Sequence, residues 1–301
     1  MSFYLKNHKL KLNKIYYKQP SPINKNIISN HINNSAIYRL SNKNSNTDKA
    51  IYSYQDPYYN GIGQFTRNPS CWISGVTNIS CFSPAQLSGA SWWQRGGTLI
   101  TKKHVLFAKH FITSIISGGT PLVFVDDNNN VIRRNIIAYS NDITDISVAL
   151  LDSEIPSNIK IAKVLPTNYT DYLDIVSTNN LLCVGLDQEE KALLKIISGL
   201  QIYIVSEPIQ NILIYNLDNF VTAYSAYNSW SETIIAGDSG NPVFFIIDNE
   251  LVVLTTWWGS TAGPFITNRY NAVNSIIEGL SPNEGYSLTP IDLESVYYKY
   301  S

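Results

Sequence analysis

The stretch AGDSGNPVFF, residues 236–245, runs directly into IIDNELVVLTTWWGS, residues 246–260, and its reading decides the rest of the chain. Glycines at 237 and 240 clear side chains from around Ser239 and let the backbone fold sharply. FFII and LVVL are apolar and rich in β-branched and aromatic residues, with Asp248-Asn249 between them, which is a hairpin signal. A turn with an unshielded hydroxyl therefore opens onto a buried strand. Such a hydroxyl is either a nucleophile or part of an ordinary turn. A histidine and an acid elsewhere in the chain would separate the two readings.

The texture of this hairpin recurs from about Cys71 onward. GGTLIT, HVLFAKHF, PLVFVDDNNNVI, DISVALLD, LLCVGL and ILIYNL are short apolar runs between turn signals. Many short strands of this kind point to an antiparallel barrel or sandwich. The helical pattern that stands out is NAVNSIIEGL, residues 271–280. IPSNIKIAKVLPTNY, with prolines at 156 and 166, suits a crossing between two halves. Residues 1–66 are rich in Asn, Ser, Lys and Tyr with no sustained period, which predicts an irregular arm, extended or held against a protein partner. The expected organisation is an arm at 1–66, a first β unit at 67–160, a second at 161–285 and a tail at 286–301.

The 301 residues are 44% hydrophobic, enough for a sizeable core. A net charge of −1 leaves no electrostatic footprint for nucleic acid or an anionic membrane, so neither partner is expected. No run approaches the roughly 18 apolar residues of a membrane span. Three cysteines, an odd number, suit a reducing compartment. MSFYLKNHKLKLNKIYYKQP is interrupted by lysines and lacks an apolar core of about 7–15 residues, so no secretory signal is expected. Together these predict an intracellular (cytoplasmic) or virion-associated protein. No His/Cys cluster has metal-ligand spacing, and neither a phosphate-binding glycine loop nor a dinucleotide fingerprint occurs, so no metal or cofactor is expected.

Four histidines occur. His8 and His31 lie in the polar arm, and His104 sits within a strand, as structural residues would. His110 ends GGTLITKKHVLFAKHF. Asp145 immediately precedes the apolar ISVALL, with Asp142 a rival for the same role. A relay needs a hydroxyl beside an imidazole whose other nitrogen is held by a carboxylate, plus backbone N–H groups aimed at the developing oxyanion. Ser239, His110 and Asp145 supply the first set, and the N–H groups of Gly237 and Ser239 the second.

At these residues the chain resembles the chymotrypsin-like (trypsin-like) serine proteases, in the family's order of His, Asp, Ser. GGTLITKKHVLFAKHF is similar to its Gly-Gly-Ser/Thr-Leu-Ile strand and Val-Leu-Thr-Ala-Ala-His segment, DISVALL to Asp-Ile-Ala-Leu-Leu, and GDSGNP to Gly-Asp-Ser-Gly-Gly-Pro. TTWWGS resembles its Ser-Trp-Gly edge strand, and GPFITNRYNAVNSII its closing strand and helix. The resemblance covers roughly residues 70–280. It implies an all-β fold of two six-stranded antiparallel barrels with the active site between them, beside the irregular N-terminal arm and a short C-terminal helix. It further implies Ser239 as nucleophile, His110 as general base then acid, Asp145 as orienting carboxylate, and a polypeptide substrate pairing along Trp258 and Gly259.

The chain also departs from that pattern. Phe111 and Arg95 stand where the family has a disulfide, and Ile235 at one end of another. No activation site precedes the first barrel. The acid before the serine, Asp238, which in the family meets a new N-terminal ammonium, is expected to pair with an arginine, with Arg95, Arg133 and Arg134 as candidates. Asn241 replaces the second glycine after the serine, a position where Asn tolerates left-handed backbone. Trp257 replaces a serine. Thr233 occupies the base of the family's specificity pocket, so with Ala236 an uncharged or apolar residue is expected at the cleavage site. The expected function is a serine endopeptidase, and the alternative is a catalytically inactive protease fold serving as a structural or binding subunit, for example of a virion. An esterase would use the same residues.

Overall fold

The computed structural model describes residues 23–88, 91–93, 96–111, 119–175, 180–204, 208–219 and 223–301. Among the described residues, sixteen strands fall in chain order. A small antiparallel pair comes first, β1 (Tyr52–Asp56) with β2 (Gln64–Arg67). Seven strands follow: β3 (Ala85–Ser88), β4 (Ser91–Trp93), β5 (Thr98–Leu99), β6 (His104–Ala108), β7 (Thr120–Val125), β8 (Val131–Asn141) and β9 (Ile146–Leu151). They form one antiparallel sheet in the order β4-β3-β7-β8-β9-β6-β5. The last seven are β10 (Lys163–Val164), β11 (Leu181–Leu186), β12 (Ala192–Ile204), β13 (Pro208–Tyr215), β14 (Pro242–Ile247), β15 (Glu250–Thr256) and β16 (Ala262–Pro264). Their order is β10-β15-β14-β11-β12-β13-β16, and β10 joins β15 in parallel. The molecule is mostly β, with the crossing between sheets where the prolines at 156 and 166 suggested.

The strands β6, β7, β9, β11 and β14 are buried along their whole length. Alternation sends their side chains into two different cores. Val105 and Phe107 of β6, Leu122 and Phe124 of β7, and Ala149 and Leu151 of β9 fill a core on one face of the first sheet. Leu106, Val123 and Val148, from the opposite face, enter a second core together with Leu182, Val184, Phe244 and Ile246 of the second sheet. Burial on both faces is the reason these runs read as continuous rather than alternating hydrophobicity.

The predicted hairpin is β14–β15. Ile247 pairs with Glu250 across a two-residue loop, and Asp248 and Asn249 both have positive φ, 49° and 65°. This is the twist-compatible tight turn that Asn and Asp accommodate.

The expected irregular arm is different in the structure. Residues 26–40 form helix α1 (Asn26–Leu40), and residues 52–67 hold the β1–β2 pair. Ile28, Ile32, Ala36 and Leu40 recur every four residues as a narrow buried stripe. Ile28 and Ile32 pack in the core behind the second sheet, and Ala36 and Leu40 in the shared core. A single-residue-wide stripe within Asn-rich sequence gives little periodic signal, and tertiary packing supplies the stability instead. The apolar stripe of α1 is thus covered by this chain's own sheet. Residues 1–22 lie outside the described residues, as does the segment that suggested no secretory signal.

His31 is likewise more than a surface residue. Its Nε2 accepts the Asp248 backbone N–H at 3.0 Å and its ring stacks on Tyr300 at 3.9 Å. Tyr300 and Lys299 belong to α3 (Leu293–Tyr300) and both reach Asp248 Oδ1. The predicted C-terminal helix is α2 (Tyr270–Leu280), which buries Val273 and Ile277. Cys71, Cys81 and Cys183 are free and buried, and burial raises all three thiols. No helix among the described residues is long and apolar enough to cross a membrane.

His104, fully buried on β6, has Nδ1 2.8 Å from Thr101 Oγ1 and Nε2 3.2 Å from Ser281 Oγ. Burial, with Lys103 nearby, pushes its imidazole down to about 4. The unfolded chain titrates near 6.5, so between those values it holds a proton that the folded protein refuses, and stability falls as pH drops through that window, by up to about 3 kcal/mol. Asp187, pushed up to about 6 by burial, and Glu190, also raised by burial, act in the opposite sense over part of the range. The difference between wild type and His104→Gln therefore isolates the histidine. Urea denaturation at pH 7 and 4.5 should show the variant losing less stability on acidification, and equal losses would remove His104 as the source.

Candidate active site

Strand register brings two of the predicted residues together. Ala108 at the end of β6 pairs with Ile146 at the start of β9. The next step outward sets Lys109 opposite Asp145, and the Lys109 N–H donates to the Asp145 carbonyl at 2.7 Å. The chain then turns through a short 3-10 segment, Lys109–Phe111. That turn aims the His110 N–H at Asp145 Oδ1, 3.1 Å away, and lays His110 Nδ1 2.7 Å from Asp145 Oδ2. A carboxylate can only accept, so His110 Nδ1 donates to Asp145 and the Nε2 edge of the ring faces away from the acid. Asp145 is 12% exposed and His110 40%.

Asp142, the rival acid, is committed elsewhere. Arg269, just ahead of α2, donates from Nε and Nη2 to its two carboxylate oxygens, both at 2.8 Å, and the pair is buried. Burial alone would raise Asp142, but bonds from Arg269, the Ile143 N–H and Thr144 hold its carboxyl below the usual range. The fork ties the loop carrying Asp145 to the element after the second sheet, which positions the acid.

His110 and Asp145 face a cleft of about 640 Å³ lined by both halves of the molecule. Lys109, Asn141, Ile143 and Thr144 join them from the first half, and Ile209, Asn211, Trp258 and Pro264 come from the second. Trp257 and Trp258, just past the end of β15, point in different directions. Trp257 is fully buried, its indole N–H donating to the Leu186 carbonyl at 2.9 Å, whereas Trp258 is 51% exposed and lines the cleft. Gly185 makes room for the buried ring, since a Cβ there would lie 2.5 Å from Trp257 Cζ2.

Ser239 sits in a turn whose flanking glycines both have positive φ, 110° at Gly237 and 88° at Gly240. The turn is fastened to the strand that delivers Trp258: the Gly240 N–H donates to the Trp257 carbonyl and the Trp257 N–H to the Asn241 carbonyl, each at 3.0 Å. Neither the Gly237 N–H nor the Ser239 N–H has an acceptor among the described residues. Ser239 Oγ also has no hydrogen-bond partner there, and the residues lining the cleft do not include it.

The remaining predicted residues stand apart from the cleft lining. Thr233 is exposed, with its Oγ1 accepting from Asn216 Nδ2 at 3.2 Å. Ala236 and Gly259 are exposed, and Gly259 bridges Ala262.

Two local expectations need correction. Asp238 is fully buried, and its carboxylate takes the backbone N–H groups of Gln188 (2.9 Å) and Ile235 (2.7 Å) in place of an arginine. Arg133 and Arg134 donate instead to the carbonyls of Gly61 and Glu154, and Arg95 lies outside the described residues. Two N–H donors satisfy the carboxylate directly, and the buried Lys195 ammonium, which bonds Asn216 Oδ1 and the Glu232 carbonyl, is the nearby cation. Asn241 does not take positive φ either. Its side chain is the reason for its presence: Oδ1 accepts the Gly96 N–H at 3.1 Å, and a Cβ on Gly96 would approach that oxygen to 2.0 Å. Serine turn and first half therefore touch at a position that only glycine can fill.

Sequence reading missed Gln188, Arg269, Ile143 and Asn211. Asn141 and Ile143 adjoin Asp142 and Asp145, so their place was within reach; Arg269 and Gln188 carry no local signal. Comparison with protein-family models finds no match, and comparison with curated proteins finds none either. Among the described residues, no group of three or more His, Cys, Asp or Glu could hold a metal ion.

Replacing Arg269 by Met would strand a buried carboxylate. Chemical denaturation should show a loss of about 3–5 kcal/mol for Arg269→Met and a much smaller loss for the double variant Asp142→Asn/Arg269→Met. A single-variant loss below about 1 kcal/mol would show that the pair does not hold this loop.

Proposed function

We propose that this chain is a serine endopeptidase of the chymotrypsin-like kind, with Ser239, His110 and Asp145 as its triad. The observation that carries the proposal is the His110 Nδ1–Asp145 Oδ2 contact of 2.7 Å at the wall of a cleft shared by both halves. Further support comes from the free N–H groups of Gly237 and Ser239 on a turn fastened to the cleft wall. Two edge contacts support reading each sheet as a six-stranded barrel with one added strand. Phe82 bridges Thr98, joining the chain ahead of β3 to β5, and the Trp258 N–H donates to the Ala262 carbonyl, joining the end of β15 to β16.

In this reading Ser239 Oγ attacks the scissile carbonyl carbon as its proton passes to His110 Nε2. The oxygen of the tetrahedral adduct takes the Gly237 and Ser239 N–H groups, and Asp145 stabilises the imidazolium. Collapse expels the amine with the proton from Nε2, leaving an ester on Ser239. Water, deprotonated by the same nitrogen, attacks that ester and releases the acid and the free hydroxyl. The substrate is a polypeptide lying along Trp258 and Gly259, cleaved after an uncharged or apolar residue, as Thr233 and Ala236 suggest. Ile143, Ile209 and Trp258 make the cleft wall suited to apolar side chains.

A second reading, an inactive protease fold that binds a protein partner, is favoured by one observation. Among the described residues Ser239 Oγ has no hydrogen-bond partner, and the cleft lining excludes it. Catalytic hydrogen bonds are often loose before substrate binds, which is why the first reading is preferred.

A fluorophosphonate probe separates the two. Wild-type protein should be labelled, Ser239→Ala should not, and Asp145→Asn should be slowed by on the order of 10⁴-fold. No labelling of folded wild type would overturn the peptidase reading in favour of the second.

A further inference from the structure

We propose that residues 49–51 form a built-in strap that orders the acid–serine turn, so that the site works with its upstream segment attached and requires no chain cleavage. The geometry is independent of the peptidase reading; its consequence for catalysis rests on that reading.

The strap runs antiparallel to residues 190–192. Ala50 bridges Lys191, the Ile51 N–H donates to the Glu190 carbonyl, and the Ala192 N–H donates to the Lys49 carbonyl, both at 2.9 Å. The Trp72 indole N–H closes the same register, reaching the Ala192 carbonyl at 2.7 Å. The Lys49 ammonium pairs with Glu232 and donates to the Ser229 carbonyl at 2.9 Å. Glu232 also takes Lys191 at 3.1 Å, so one carboxylate clamps the strap and the turn it lies on.

That turn, residues 187–191, is the part that touches the serine loop. Its Gln188 N–H is one of the two donors to buried Asp238. The Gln188 side chain lies over Gly237 so closely that a Cβ there would come to 2.2 Å from Oε1. Asp187 Oδ1 stiffens the turn from inside, accepting the Glu189 and Lys191 N–H groups at 2.9 Å each. Displacing the strap would free residues 187–191, remove a hydrogen bond from Asp238 and release the peptide at Gly237 whose N–H faces the developing charge. An ion pair near the surface does little alone, and Lys49 and Glu232 are partly buried. Here it secures a backbone ladder, and the ladder secures the turn.

The test uses the full-length chain with Lys49→Met and Glu232→Gln, read by fluorophosphonate labelling rate and by amide hydrogen exchange at residues 235–240. Both variants should label at least about tenfold more slowly than wild type, exchange faster at 235–240 and keep a wild-type melting temperature, and Lys49→Arg should restore labelling. Wild-type labelling with unchanged exchange in both variants would overturn the proposal. Faster labelling in them would overturn it too, in favour of an inhibitory arm. Should wild type itself fail to label, faster exchange in the variants would still establish the strap, and the failure would fall on the peptidase reading alone.

Discussion

Everything at this site depends on strands that are apolar on both faces. Because β6, β7, β9, β11 and β14 have no solvent side, each must lie between two cores, and the second of those cores has to be shared by the two sheets. Sharing it presses the sheets together and makes a cleft at their margin unavoidable. The polar residues at strand ends, His110, Asp145 and Trp258 among them, are where the chain leaves that packing. The placement of the cleft residues is therefore a by-product of where burial stops.

Positioning within the cleft comes from short-range constraints layered on that packing. The β6–β9 register sets His110 beside Asp145, and the Arg269 fork fixes the loop that register leaves free. Gly96 and Asn241 bring the serine turn against the first half. Each device joins segments far apart in the chain, so none of them stabilises one half in isolation. A site assembled this way responds to mutations well outside the cleft, because its geometry is distributed over both sheets and the segments flanking them.

Much of this was legible in the sequence, for identifiable reasons. Short apolar runs between turn residues announced the strands, Asp248-Asn249 announced the hairpin, and proline spacing announced the crossing. The His110–Asp145 pairing was legible through the relay requirement and the resemblance carried by HVLFAKHF and DISVALL, with Asp142 left as a rival. What could not be read depends on packing partners. α1 hides a one-residue stripe among asparagines, Arg269 meets Asp142 across 127 residues of sequence, and the Asp238 carboxylate takes two amide donors in place of the expected arginine. Backbone donors leave no trace in side-chain identity, so this carboxylate's partners were not legible in the sequence.

The tip of the β14–β15 hairpin has a consequence for how the molecule assembles. The hairpin itself is local and can form within microseconds. Its two-residue turn, however, is gripped by His31 from α1 and by Lys299 and Tyr300 from α3, contacts that close loops of more than two hundred residues on one side and about fifty on the other. Such long-range closure raises the chain's contact order, so the corner that the hairpin forms locally is completed only by contacts of large sequence separation.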